Sequence, residues 1–318
     1  MHASPLTIAY SDQYLNWHLN APTNAVRAQN ATNLLVERWA TEAHVVVPVG
    51  SADTRLAVES VHDRGYVAEV LDQHRSGEWS GQNPDNAATA LAMFEGTRML
   101  IPGLVDGQFR VGFNPQGAKH HAHFDCSSGF CVFNDMAWAA LEFQRQGLRA
   151  VYIDWDAHAG DGVHHLLRNS DIPTFSIHNG SIFPGDPDMA DLSRSSVTHT
   201  VFHPDHHAYS WALTSRSGDE ALGSAVAEVL DMASSYEPDV ILLATGADGH
   251  SADARMGRLN FTDAGFESAA RGVAQLATEF AEGRVLIGGA GGYQPHDHTP
   301  RVWSLVVSTI YSGVSGAE

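Results

Sequence analysis

The stretch VYIDWDAHAGDGVHH, residues 151–165, places carboxylates and imidazoles directly after an apolar run. Asp156 and His158 are two residues apart, and side chains at that spacing on an extended segment point the same way. Asp248 follows another apolar run, LLAT. Two carboxylates and one imidazole leave coordination positions open, which is typical of a catalytic divalent metal. The histidine favours Zn²⁺, and Fe²⁺ is the alternative.

A second group of residues has the chemistry to move protons. His120 and His121 are adjacent, while Asp154 and Asp161 lie on either side of the proposed ligands. A carboxylate bound to one imidazole nitrogen fixes the tautomer and raises the basicity of the other nitrogen. Two histidines and two spare aspartates therefore suggest two His–Asp dyads, one of them a general base and acid. Metal ligation or a surface position are the alternatives for the two histidines.

Tyr293 is the candidate group for polarising a carbonyl. It follows the run GGAGG, whose glycines allow the backbone to bend tightly and approach a site closely. An ordinary loop tyrosine is the alternative interpretation. The glycine run comes after the last predicted strand rather than the first, so we do not expect a dinucleotide site.

The elements that must position these residues alternate along the chain. Apolar runs predict strands at 6–11, 44–49, 109–113, 150–156, 173–178, 239–246 and 284–289. Periodic patterns predict helices at 25–40, 58–74, 87–105, 132–145, from 162 to 168, 218–234, 261–281 and 301–311. Continuous apolar strands between helices indicate a parallel sheet covered on both faces. Ligands of such sheets bind beyond the carboxyl ends of the strands, where five of these strands are followed by polar residues.

Composition limits the class of protein and its partners. The 318 residues are 43% hydrophobic, which suits a single catalytic domain over residues 1–318. The formal net charge of -19 disfavours nucleic acids and anionic membranes, and no apolar run is long enough to cross a bilayer. We expect a cytoplasmic protein whose two cysteines, Cys126 and Cys131, are core thiols rather than a disulfide.

Five motifs occur in a fixed order: KHHAHFDCSSGFCVFND, VYIDWDAHAGDGVHH, FSIHNGSIFPG, LLATGADGH and LIGGAGGY. In this order they resemble the histone deacetylase superfamily, including its bacterial acetylpolyamine and acetoin-utilisation-type members. The resemblance covers about residues 95–303. It implies an α/β arginase–deacetylase fold, with a central eight-stranded parallel sheet and helices on both faces.

The resemblance also implies two ion sites. Zinc would be held by Asp156, His158 and Asp248. A structural monovalent cation, K⁺, would lie near the zinc loop and be bound partly through main-chain oxygens. The positions that match this second site are Asp154, Asp156, His158, Ser176 and Ile177.

The catalytic roles are likewise implied by the resemblance. His121, paired with Asp161, would be the general base and acid. His120, paired with Asp154, would be its electrostatic partner. Tyr293 would donate a hydrogen bond to the scissile carbonyl and stabilise the oxyanion.

The substrate would reach these groups through a narrow tunnel. By resemblance, Gly129, Phe130 and Phe183 would form its wall, with core packing as the alternative for the two aromatic rings. Met256 lies near the rim, where polyamine-preferring members can carry an acidic residue, so it weakens the polyamine interpretation. Lys119 is the only lysine in the chain. We hypothesise that it favours the exit of acetate through a rear channel.

These observations predict a zinc-dependent deacetylase that acts on an acyl-lysine or a small acetylated amine, using a metal-activated water and a histidine base. Acetylpolyamine deacetylation, a manganese ureohydrolase and a non-catalytic binder of acylated ligands are the alternatives. The complete catalytic set disfavours the last of these. Either a monomer or a homodimer is compatible with the sequence.

Overall fold

The structure, a computed structural model, describes residues 5–19, 25–185, 189, 198–253 and 255–316. Within these ranges, nine strands form one sheet. They are β1 Leu6–Ala9, β2 Ala43–Val46, β3 Val111–Asn114, β4 Ala150–Asp154, β5 Thr174–Asn179, β6 Thr198–His203, β7 Ala208–Leu213, β8 Val240–Thr245 and β9 Val285–Gly289. Their order across the sheet is β2-β1-β3-β9-β8-β4-β5-β7-β6.

Eight of the strands run parallel, which confirms the predicted α/β architecture. The ninth, β6, extends the sheet at one edge and pairs with β7 in the antiparallel direction. The apolar pattern identified the other seven strands but missed β6 and β7. Their sequences, THTVFH and AYSWAL, mix polar and apolar residues and lack the continuous apolar run of a central strand.

Helices cover both faces of the sheet. They are α1 Val26–Arg38, α2 Ala52–Glu59, α3 Arg64–Leu71, α4 Pro84–Val105, α5 Asp135–Arg145, α6 Asp161–Leu167, α7 Asp219–Ser234, α8 Asp263–Phe280 and α9 His298–Ser315. One hydrophobic core lies between the sheet and α7, α8, α9 and part of α1. The other lies between the sheet and α2 to α6.

The central strand β8 shows why the predicted strands appear in the sequence as unbroken apolar runs. Ile241 and Leu243 belong to the first core, while Leu242 and Ala244 face the second. All four side chains are fully buried. Each buried leucine or isoleucine contributes about 1.5–3 kcal/mol to the stability of the fold. The strand therefore holds the residues that follow its carboxyl end in a fixed position.

Two expectations from the sequence are wrong. The periodic segment 58–74 is two helices, because the chain turns after α2 and Asp63 begins α3 by accepting the N–H of Tyr66 at 3.0 Å. The aspartate side chain thus replaces a helical hydrogen bond at that point. Cys126 is exposed, whereas Cys131 is buried as expected.

The sheet order brings the predicted site residues together. Strands β3, β9, β8 and β4 are consecutive neighbours and parallel, so their carboxyl ends lie at one edge of the sheet. The loops that leave this edge carry the histidine pair, Tyr293, Asp248 and Asp156. Among the helices of the described residues, none is long and apolar enough to span a membrane.

Candidate active site

The three proposed metal ligands form one buried cluster. Asp156 and His158 follow β4, and Asp248 follows β8, which pairs with β4. Their ligand atoms lie within 4.8 Å of one another. Nδ1 of His158 is 3.1 Å from Oδ1 of Asp156 and 2.9 Å from Oδ2 of Asp248. The structure therefore brings together the three side chains that the sequence predicted.

The surroundings of this cluster fit a divalent cation. Oδ2 of Asp248 is buried and has no donor in hydrogen-bond geometry among the described residues. A buried carboxylate oxygen with no well-oriented hydrogen bond is costly, and a metal ion would remove that cost. Gly291 adds to the fit, because a Cβ there would lie 2.4 Å from Oδ2 of Asp248 and 2.6 Å from Oδ2 of Asp156. Glycine thus permits the close approach of this loop.

Both predicted His–Asp pairs are present. Nδ1 of His120 is 2.7 Å from Oδ2 of Asp154, and Nδ1 of His121 is 2.7 Å from Oδ1 of Asp161. The two imidazole rings are 4.1 Å apart between centroids. All four residues are buried. A carboxylate acceptor on Nδ1 leaves Nε2 of each ring for other contacts.

The two histidines differ in protonation although they are neighbours. Burial lowers the pKa of His120, but the carboxylates of Asp154 and Asp156 outweigh it and raise the pKa to about 9. Burial, together with the charge of His120, lowers the pKa of His121 to about 4, despite its contact with Asp161. These shifts favour the charged form of His120 and the neutral form of His121. Opposite shifts of this kind separate acid and base roles within one site.

Tyr293 lines the same pocket as both histidines, Asp156 and His158. Burial raises the pKa of its phenol well above the ordinary value, so the hydroxyl stays protonated and can donate a hydrogen bond. Its main-chain N–H donates to Oδ2 of Asp253 at 2.5 Å. The loop that carries the tyrosine is thus fixed at its backbone.

The predicted tunnel residues are only partly brought together. Gly129 and Phe130 line the pocket, and both have left-handed backbone, with φ of 53° and 67°. The ring of Phe183 lies 4.9 Å from that of His121 but is 48% exposed, and Phe183 is not among the residues that line the pocket. Met256 is half-buried and is not among the residues that line the pocket.

The residues predicted for a monovalent cation lie on neighbouring strands. Asp154 and Ser176 are direct partners in the register of β4 and β5, and Ile177 is the next residue along β5. Asp156 and His158 belong to the loop that follows β4. The monovalent cation site therefore stays a prediction, adjacent to the proposed divalent metal site.

Several residues of the site were missed by sequence reasoning. The hydroxyl of Tyr152 donates to Oδ2 of Asp154 at 2.6 Å, and Nη1 of Arg27 donates to the carbonyl of Gly292 at 2.6 Å. Arg27 lines the pocket beside Lys119, which the sequence had already singled out, and both are buried. Tyr152 and Asp154 are two residues apart on one strand and so share a face, and this spacing could have predicted their contact. No local pattern links Arg27 to a loop 265 residues away.

Comparison with known proteins identifies the family of the chain. The family model described as "Histone deacetylase domain" matches residues 21–310. The acetoin utilization protein AcuC of Bacillus subtilis (strain 168) is 29% identical over 317 residues, which cover 93% of this chain and 80% of that protein. AcuC of Staphylococcus aureus (strain COL) is 27% identical, with 97% and 82% covered.

The fold has a solved counterpart in the crystal structure of the HDA15 HD domain. The two superpose with a TM-score of 0.80 at 20% sequence identity, over 99% of this chain and 89% of that one. At that identity the likeness concerns the fold, while the family match rests on the sequence over residues 21–310. The chain belongs to the histone deacetylase domain family of deacetylase hydrolases.

Proposed function

We propose that this protein is a metal-dependent amidohydrolase that removes an acetyl group from an N-acetylated aliphatic amine. Acetyl-lysine and small acetylated metabolites are the substrate classes. The observation that carries the proposal is that His121, Tyr293, Asp156 and His158 line one pocket, with Asp248 completing the cluster of metal ligands. A base, a hydrogen-bond donor and a metal-binding set together meet the needs of amide hydrolysis.

The proposed divalent ion is Zn²⁺, with Fe²⁺ as the alternative, because the ligands are one imidazole and two carboxylates. When bound, the ion would supply Lewis acidity toward a water molecule and the amide carbonyl. A K⁺ ion near Asp154 and Ser176 is the proposed structural partner of this site.

The protein's own side chains would then act in sequence. His121 accepts a proton at Nε2 while Asp161 holds Nδ1, and it later returns a proton to the leaving amine. His120, whose pKa is raised by the carboxylates of Asp154 and Asp156, would stabilise negative charge that develops nearby. The hydroxyl of Tyr293 donates to the carbonyl oxygen and holds it more tightly as it becomes an oxyanion.

Substrate binding is proposed to use the aromatic rings around the pocket. Phe130 and Phe183 would enclose a short aliphatic chain, and Gly129 between His121 and Phe183 leaves room for it. A Cβ at Gly129 would lie 2.5 Å from Cδ2 of His121. We place Met256 at the outer rim of this path. An uncharged chain next to the amide suits these apolar walls.

The charge at the end of the substrate away from the amide distinguishes the candidate amines. A net charge of -19 attracts cationic amines, including acetylpolyamines, whereas Met256 provides no carboxylate to select them. The AcuC relatives are named for acetoin utilization, a name that states no substrate, so acyl-lysine proteins and small metabolites both stay candidates. We expect a cytoplasmic monomer or homodimer with no nucleic-acid or membrane partner.

Acetate release from a substrate panel tests the proposal. The zinc-loaded protein would be given acetyl-lysine peptides, free acetyl-lysine, acetylputrescine, acetylspermidine and neutral acetamides. Tyr293→Phe should lower kcat by about 10²–10³-fold, and His121→Ala by about 10²–10⁴-fold. Tyr10→Phe and His44→Ala change the same residue types at positions that do not line the pocket, and they should leave the rate unchanged.

The ranking of the panel also separates the alternatives. Preference for acetylspermidine would favour a polyamine deacetylase. If the protein binds one zinc per chain and yet releases no acetate from any amide, the deacetylase proposal is wrong. A ligand-binding role would then explain the pocket better.

A further inference from the structure

The carboxylate of Asp161 is shared by two imidazoles. Oδ1 contacts Nδ1 of His121 at 2.7 Å, and Oδ2 contacts Nε2 of His123 at 3.2 Å. Burial raises the pKa of Asp161, but the two histidine contacts outweigh it and hold the pKa well below its ordinary value. An ionised carboxylate only accepts hydrogen bonds, so both of these ring nitrogens carry a proton.

A second contact extends this arrangement along α6. Nδ1 of His123 lies 3.4 Å from Nδ1 of His165. Asp161 and His165 are four residues apart on α6, so they share one face of the helix. In the neutral His123 ring with its proton on Nε2 toward Asp161, Nδ1 is the acceptor and Nδ1–H of His165 is the donor. The helix therefore contacts the His123 ring at both nitrogens.

Two features of the chain allow both histidines to contact the carboxylate of Asp161. His121 and His123 are two residues apart in the loop after β3, so both reach Asp161 from the same segment. The main chain at His123 is held separately, because its N–H donates to the carbonyl of Cys126 at 3.0 Å. The side chain of His123 is thus available for a task other than closing the loop.

We propose that His123 is a positioning residue for the His121–Asp161 dyad. By holding Oδ2, its N–H prevents the carboxylate from rotating about the Cβ–Cγ bond. Oδ1 then stays on Nδ1 of His121, and Nε2 of His121 remains unprotonated on the pocket side. This inference rests on the proposed function, in which Nε2 of His121 accepts a proton.

Replacement of His123 by leucine or glutamine separates positioning from packing. Leucine fills a similar volume without a donor, whereas glutamine offers an N–H near the place of Nε2. With the best substrate of the panel, His123→Leu should lower kcat by about tenfold and leave KM unchanged. His123→Gln should recover most of the loss. His44→Leu, on the exposed face of β2, is the matched control and should behave as wild type.

A double-variant cycle and a spectroscopic measurement complete the test. In an Asp161→Ala background, His123→Leu should cause no further loss, because His123 acts through that carboxylate. Long-range ¹H–¹⁵N spectra of the imidazoles should show His121 as the Nδ1–H tautomer in wild type and as a tautomer mixture in His123→Leu. This readout does not need turnover, so it remains decisive if the wild type hydrolyses none of the amides.

Two results would overturn the inference. One is a kcat for His123→Leu equal to that of the wild type, with the His121 tautomer unchanged. The other is an equal loss of rate in the glutamine and leucine variants, again with an unchanged tautomer, which would assign His123 to packing alone. A tautomer change that glutamine reverses supports the inference.

Discussion

Oε2 of Glu78 accepts a hydrogen bond from the main-chain N–H of Phe130 at 2.9 Å. The bond joins the segment before α4 to the left-handed corner formed by Gly129 and Phe130. A non-glycine residue in that conformation is strained and persists only where its surroundings hold it. The half-buried glutamate is therefore a support for the wall of the pocket.

We expect Glu78→Ala to raise KM for the best substrate by about tenfold, equivalent to about 1.4 kcal/mol. The corner would relax without its acceptor, and the Phe130 ring would leave its place beside Tyr293, now 6.4 Å away between centroids. Steady-state kinetics measure the effect. Glu78→Gln keeps an acceptor oxygen and should stay close to wild type; an equal rise in KM for both variants would instead implicate the negative charge.

Metal binding should stabilise the fold through the Asp156–His158–Asp248 cluster. Zinc at 100 times its Kd would add about 2.7 kcal/mol to the free energy of unfolding. Asp248→Asn should abolish this gain. The metal-free variant should be at least as stable as metal-free wild type, because burial and the neighbouring Asp156 raise the pKa of Asp248 and disfavour its charge.

Thermal unfolding with zinc and with a chelator checks this expectation. Asp12→Asn, a carboxylate outside the cluster, is the control and should keep the full zinc response. A zinc-dependent rise in Tm for Asp248→Asn as large as that of wild type would show that the ion binds elsewhere.

His62 should make stability depend on pH. Its Nδ1 contacts the carbonyl of His123 at 2.8 Å, and its Nε2 accepts the N–H of Asn134 at 2.9 Å, so the buried ring is neutral. Burial lowers the pKa of His62 from 6.5 to about 4. The unfolded chain therefore binds more protons between these values, and the contribution of this residue is full above pH 6.5 and lost as pH falls through 4.

The variant His62→Gln removes this titration. The stability advantage of wild type over His62→Gln should shrink by about 3 kcal/mol between pH 6.5 and 4. Denaturant unfolding at several pH values measures the difference, with His44→Gln as an exposed control. An advantage that stays constant over this range would contradict the buried neutral state of the ring.

Lys119 should affect product release. Its side chain lines the pocket together with Arg27, and Nζ lies 3.3 Å from Oε1 of Gln116. Burial lowers the pKa of Lys119 to about 8, so the amine is mostly charged at pH 7. If it attracts acetate, Lys119→Met should raise the inhibition constant of acetate by about tenfold or more.

Product-inhibition kinetics test this hypothesis, and Arg75→Met provides a control with an exposed cation. In wild type, inhibition by acetate should weaken as pH rises through about 8, because the amine loses its charge. Kinetics and acetate inhibition that are unchanged in Lys119→Met would remove Lys119 from the release path.

Short-range spacing made part of this site predictable. Asp156 and His158 are two residues apart in the loop after β4, where a bend brings them together and Oδ1 of Asp156 accepts the N–H of His158 at 2.8 Å. The adjacent His120 and His121 follow a strand that ends at the same edge. The unbroken apolar run of β8 indicated a strand buried on both faces, and so placed Asp248 at the carboxyl edge of the sheet. These inferences depend on backbone geometry and burial, which a sequence encodes locally.

Only the tertiary structure decided which groups meet across distant segments. The residue pattern indicated two His–Asp pairs, and only the resemblance paired His121 with Asp161. That His123 shares the carboxylate of Asp161 depends on where α6 lies against the loop after β3. Arg27 reaches the Tyr293 loop because α1 packs beside α9. Strands β6 and β7 form by pairing with each other and with β5. Such contacts depend on strand order and helix packing, and neither leaves a periodic signal in the sequence.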